Sequence, residues 1–210
     1  MRRVCVLYED QRGPTRGFGL HELVKACVRD ALKDSPRREV DGALDDCRPM
    51  KGMPKLLKAC RQDIDLIADD GRSVIAVFDN DEIRGDLKLP RNASDELVVQ
   101  RIREGGKHSD RLFVVLLKQN MESVIQAVRQ CDGSIDPKRL DSALKKSLLD
   151  RDAILNGLTV ELKRPIRDCI QEKMPSFRAL VELLCREISP RSKTRRRSGP
   201  SGRRSRPKTR

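Results

Sequence analysis

Ser73-Val74-Ile75-Ala76-Val77-Phe78-Asp79-Asn80-Asp81 (SVIAVFDND, residues 73–81) is the strongest strand signal in the chain. A continuous apolar run rich in β-branched residues marks a strand buried on both faces, as in a parallel sheet. Two further runs share its form. Val4–Tyr8 (VCVLY) ends in Glu9-Asp10, and Leu112–Leu117 (LFVVLL) runs into Lys118-Gln119-Asn120-Met121-Glu122. Each is followed by a stretch with helical spacing.

After the first strand and the loop at residues 11–17, Leu20, Leu23, Val24, Cys27, Val28 and Leu32 mark one apolar helical face. Residues 34–52 are turn-rich, with room for a short strand near Glu39–Leu44. Pro54 starts a second helix, carrying Leu56, Leu57, Cys60, Ile64 and Ile67 and ending near Gly71. Ser94 is placed to cap a third, through Leu97, Val98 and Ile102 to Gly105-Gly106. A fourth spans Ser123–Gln130. Beyond Pro137 the pattern is helical to about Ile188, interrupted at Pro165 and Pro175. Strands alternating with helices imply an α/β fold: a mostly parallel central sheet with helices on both faces. The expected organisation is an α/β domain over residues 1–135, a helical region over 136–188 packed on it, and a disordered basic tail over 189–210.

The chain has 210 residues, with 45 Lys and Arg against 32 Asp and Glu, a net charge of +13. Residues 189–210 hold 10 basic residues and no acid, which leaves 35 against 32, or +3, for the rest. A nearly neutral body with a cationic tail suits salt-dependent binding of nucleic-acid phosphates without base reading, Arg195, Arg196, Arg197, Arg203 and Arg204 being its densest clusters. Four Phe, one Tyr and no Trp leave little for base-stacking platforms. No apolar run approaches a membrane span, and VCVLY is too short for a secretory core, so a cytoplasmic protein without membrane contact is expected. Seven scattered cysteines, odd in number and without a CxxC pair, argue against zinc and against disulfides.

In an open parallel sheet the functional groups gather at the carboxyl ends of the strands. Here Glu9 ends the first, Asp79 and Asp81 end the second, and Glu122 lies just past the third. Adjacent strands lie about 4.8 Å apart, so carboxylates at their ends are within reach of one ion. Asp79 and Asp81 share a side while the chain stays extended. Acids also cap helices, and each alone is ordinary. Together they would repel one another, and a hard divalent cation, Mg2+ or Mn2+, resolves this. Lys118 stands at a strand end where it can neutralise charge developing on a phosphoryl group. Arg12, Arg16 and Arg84 occupy flanking loops suited to a nucleic-acid backbone.

The segments VCVLYE (4–9) and VIAVFDND (74–81) resemble the TOPRIM fold, in which an apolar strand ending in Glu precedes one ending in Asp-x-Asp. Asn120-Met121-Glu122-Ser123 and Pro175-Ser176-Phe177-Arg178-Ala179-Leu180 are similar to features of small TOPRIM-like proteins related to OLD-type nucleases, often encoded beside an ATPase in bacterial defence loci. Where many of these carry Gly after the Glu, this chain has Asp10. The resemblance implies a Mg2+-dependent nuclease acting on DNA, with a separate ATPase as partner. By carry-over, Asp79 and Asp81 hold metal, Glu9 is a ligand or general acid/base, and Glu122 completes a second metal site. A non-catalytic nucleic-acid-binding or adaptor protein of the same fold is the alternative. A receiver-like phosphoacceptor with Asp79 and Lys118 is the weakest reading, since it leaves the second Asp unexplained. His21 and His108 pair with no nucleophile, and His21 is expected at a surface or in a cap. No GxxxxGK[ST] or GxGxxG motif is present.

Overall fold

The computed structural model describes residues 1–10, 18–67, 71–80, 83–104, 110–118, 121–145 and 147–189. Strands β1 (Val4–Asp10), β2 (Asp46–Lys51), β3 (Ser73–Asp79) and β4 (Leu112–Leu117) form one all-parallel sheet in the order β2-β1-β3-β4. The three apolar runs are thus the three contiguous strands β1, β3 and β4. Helices α1 (Gly19–Ala31), α2 (Arg37–Ala43), α3 (Met53–Lys58), α4 (Ile64–Ile67), α5 (Ile83–Asp86) and α6 (Asp95–Arg103) fill the connections, with a π-type turn over Ala59–Asp63 joining α3 to α4. After β4 the chain is helical: α7 (Met121–Cys131), α8 (Pro137–Leu144), α9 (Leu148–Gly157), α10 (Arg164–Lys173) and α11 (Pro175–Ile188).

The second strand is not where the sequence placed it. Residues expected as a strand near Glu39–Leu44 form α2, and the strand follows at Asp46–Lys51. This strand pairs with β1 alone, so it lies at the sheet edge and can stay polar; only Pro49 of its side chains is buried. An edge position also tolerates the missing N–H of that proline.

Alternation along the inner strands divides the core into two layers. Val4, Val6, Tyr8, Ile75 and Val77 face α1, α7 and α8–α11; Cys5, Leu7, Val74, Ala76, Phe78 and Leu112 face α3, α5 and α6. Residues of α9, α10 and α11 share the first layer with the sheet. Pro165 and Pro175 lie in the first turns of α10 and α11, where a missing N–H costs nothing. Ser94 accepts a hydrogen bond from the Leu97 N–H at 3.2 Å, as an N-cap does. The start of α1 is capped from a distance: the Gly19 N–H donates to Asp152 Oδ1 of α9 at 3.0 Å. A Cβ at Gly19 would stand 2.8 Å from that oxygen and 2.9 Å from Asp152 Cα, so only glycine permits this approach.

Two expectations about single residues are corrected. Cys131 at the end of α7 and Cys169 in α10 form a disulfide, against the expected absence of any. Their separation of 38 residues leaves no spacing motif; the packing of α7 on α10 brings them together. Burial pushes the thiols of Cys5, Cys27 and Cys60 up to about 12, which leaves them inert at neutral pH. His21, expected at a surface, is buried. Its Nε2–H donates to the Leu44 carbonyl at 2.7 Å, so Nδ1 is the acceptor for the Tyr8 hydroxyl at 3.1 Å. Burial lowers its pKa from 6.5 to about 4. Among the described residues no helix is long and apolar enough to cross a membrane.

Candidate functional site at the β1/β3 crevice

The strand order contains a reversal. From β1 the chain steps outward to β2, then crosses β1 to reach β3, so the connections leave β1 and β3 toward opposite sides. At such a switch point the loops part and open a crevice outside the carboxyl ends of the strands, where ligands bind in open α/β sheets. Glu9 stands at that end of β1 and Asp79 at that end of β3.

The two ends are joined. The Asp79 main-chain N–H donates to Glu9 Oε2 at 3.2 Å, holding the Glu9 carboxylate over the end of the neighbouring strand. By alternation Glu9 belongs to the layer of Cys5 and Leu7, and Asp79 to that of Ile75 and Val77, so the two acids come from opposite faces of the sheet. Extended geometry stops at Asp79. Asn80 turns away, its N–H donating to the Leu117 carbonyl at 3.0 Å. Asp81, Arg12, Arg16 and the tail arginines Arg195, Arg196, Arg197, Arg203 and Arg204 lie outside the described residues.

Arg84, expected on a nucleic-acid backbone, is instead a bracket for the turn after β3. Its guanidinium donates to Asn80 Oδ1 at 2.7 Å, to the Ala93 carbonyl at 2.9 Å and to Asp95 Oδ1 at 2.6 Å. Lys118 follows β4 directly, beside the β3 terminus in register, and its side chain is 67% exposed. Its ammonium stands 3.4 Å from Asp95 Oδ2, so Asp95 carries both cations. At this exposure the Lys118 contact is weak, and the ammonium can leave it for a phosphate.

Glu122 has a different setting. Buried Arg151 of α9 donates to its Oε1 at 2.6 Å and, through Nε, to the Ala143 carbonyl at 2.7 Å. This ion pair ties the first turn of α7 to α8 and α9. A cation at Glu122 would compete with a guanidinium already in place. Among the described residues no group of three or more His, Cys, Asp or Glu side chains is gathered as a metal centre. Glu9 and Asp79 supply oxygen donors only, a chemistry that suits a hard divalent ion. Sequence reasoning missed His21, Asp152, Arg151 and Arg84 as structural groups, because each acts on a partner that only the fold brings near.

No family model matches the chain, and no curated protein or solved structure matches it either.

Proposed function

We propose that the protein is a Mg2+- or Mn2+-dependent nuclease that cleaves phosphodiester bonds in DNA at the β1/β3 crevice. The observation that supports this reading is the bond from the Asp79 N–H to Glu9 Oε2, which holds one strand-end carboxylate over the end of the neighbouring strand at the switch point of the sheet. Glu9 and Asp79, joined by Asp81 on the evidence of sequence, are the residues to hold the ion. A bound ion of this class polarises a phosphoryl oxygen and lowers the pKa of water. Within the chain, Glu9 orients and accepts a proton at its carboxylate, and Lys118 offers its exposed ammonium to the phosphate oxygens. Glu122 stays with Arg151 and positions α7. A separate ATPase, suggested by the resemblance, is the proposed protein partner.

A second reading, a nucleic-acid-binding adaptor of the same fold, draws support from the capture of Glu122 by Arg151. Two measurements divide them. Mn2+ titrated calorimetrically into the full chain is expected to bind, and Asp79→Ala with Asp81→Ala to abolish the heat. Supercoiled plasmid is expected to be nicked with Mg2+ or Mn2+ and spared with chelator. Metal binding and nicking unchanged in the double variant refute the nuclease assignment. DNA binding without any metal heat favours the adaptor.

A further inference from the structure

The opposite edge of the sheet carries its own site. Arg2 and Arg3 precede β1, Arg72 and Ser73 open β3, and Asp110 and Arg111 precede β4; with Glu187 of α11 they line a cavity of about 640 Å³. Four arginines thus line the cavity where the strands begin, together with Asp110 and Glu187, and a third acid, Asp46, is paired with Arg72. The two lining acids are not equally available: Glu187 accepts from Ser73 Oγ at 3.0 Å and stands 3.5 Å from Arg186. Arg72 is oriented by Asp46 at 2.8 Å, a contact that fixes its guanidinium at the rim. Arg2 and Arg3 are exposed.

A second observation points the same way. The Arg2 N–H donates to the Ile188 carbonyl at 3.1 Å, so α11 ends beside β1 at this edge. Ser189 is the next residue, and residues 190–210, with 10 basic side chains and no acid, continue from there. The basic cavity and the basic tail therefore start from the same place.

We infer that this amino-terminal edge is a docking site for the phosphodiester backbone of duplex DNA, gripped by Arg2, Arg3, Arg72 and Arg111. Guanidinium forks match phosphate oxygens bidentately, and converging arginines release several counterions at once. The site gives nucleic acid a hold separate from the acidic crevice by the length of a strand, roughly 20 Å. It relieves the carboxyl edge, whose acids repel phosphate, of the task of capture. The inference deepens the proposed function by naming where its substrate is held, and it is tested without metal so that the two fail separately.

The test is a titration of the full chain, in chelator, against a short fluorescein-labelled DNA duplex between roughly 50 and 200 mM salt. Arg2→Gln with Arg3→Gln, both exposed and safe for folding, is expected to weaken binding about tenfold and to make the slope of log K against log salt shallower by about 2. Adding Arg111→Gln extends the loss by about one more unit of slope. Lys138→Gln with Lys145→Gln, on α8, leaves the slope unchanged. An unaltered slope in the Arg2/Arg3 variant overturns the inference. So does an equal loss in the α8 variant, which marks diffuse charge, or tighter binding to phosphatidylserine vesicles than to the duplex.

Discussion

Glu9 and Glu122 read alike in the sequence: each is an acid at or just past the carboxyl end of a buried strand. In the fold they differ. Glu9 reaches across the switch point to accept from a main-chain N–H at the end of the neighbouring strand. Glu122 is claimed by a guanidinium that is itself buried and bonded to a carbonyl. A carboxylate at a strand end is therefore not sufficient for a metal site, because a guanidinium fixed beside it, as at Glu122, competes with any ion.

On the proposed nuclease reading, the largest effect that separates the two acids is catalytic. Asp79→Ala, or Glu9→Gln, is expected to lower the rate of plasmid nicking on the order of a thousandfold, the loss of a ligand that supports several kcal/mol of charge stabilisation. Glu122→Gln is expected to leave that rate within about a factor of a few. Equal losses from Glu9→Gln and Glu122→Gln, in stable proteins, would erase the distinction.

Next in size are effects on the helix that carries Glu122. The disulfide at Cys131 closes a loop of sequence separation 38, so Cys169→Ser should cost about 3–4 kcal/mol in denaturant unfolding, with metal binding retained. A midpoint shared with the oxidised wild type breaks this expectation.

On the Glu9 side, Tyr8 and His21 give a pH signature. The fold holds His21 neutral, with a pKa lowered from 6.5 to about 4, whereas the unfolded chain takes up the proton at the higher value. The histidine's contribution is complete above pH 6.5 and is lost as pH falls toward 4, a decline of about 3 kcal/mol. Chemical denaturation across that window measures it, and His21→Gln should flatten the slope. A slope that persists in the variant assigns it to other groups.

The smallest effect sharpens the contrast most directly. Arg151→Met removes the partner of Glu122, whose side chain is 30% exposed, and should destabilise by about 2–3 kcal/mol. With Glu122 released, Mn2+ stoichiometry at the α7 terminus becomes testable by calorimetry. An added metal equivalent in this variant would mean that Arg151 alone keeps a second site closed.

Much of the fold was legible because strands covered by helices must be apolar, and VCVLY, SVIAVF and LFVVLL are, although LFVVLL forms β4 at one edge of the sheet. The acids that end the first two runs were legible for the same reason, being abrupt breaks in them. The edge strand β2 was not, since DCRPMK is a polar segment that buries only its proline. Arg84, which the sequence placed in a loop suited to a nucleic-acid backbone, and Arg151, which the sequence did not single out, are brackets for turns and helices. Nothing local to them differs from a surface arginine, and their acceptors lie 4 to 29 positions away.

The sequence alone determined the class of architecture, an alternation of buried strands and amphipathic helices, because that information lies in short-range periodicity and each segment carries its own. It also determined that acids stand where the inner strands end. Strand order, and with it the switch point that sets Glu9 against Asp79, came only from the tertiary structure. So did the pairing of Cys131 with Cys169, the burial of His21, the claim of Arg151 on Glu122, and the gathering of four arginines at the far edge. Each of these depends on contacts between residues distant in the chain, and such contacts are settled by how the layers pack rather than by what any one segment prefers.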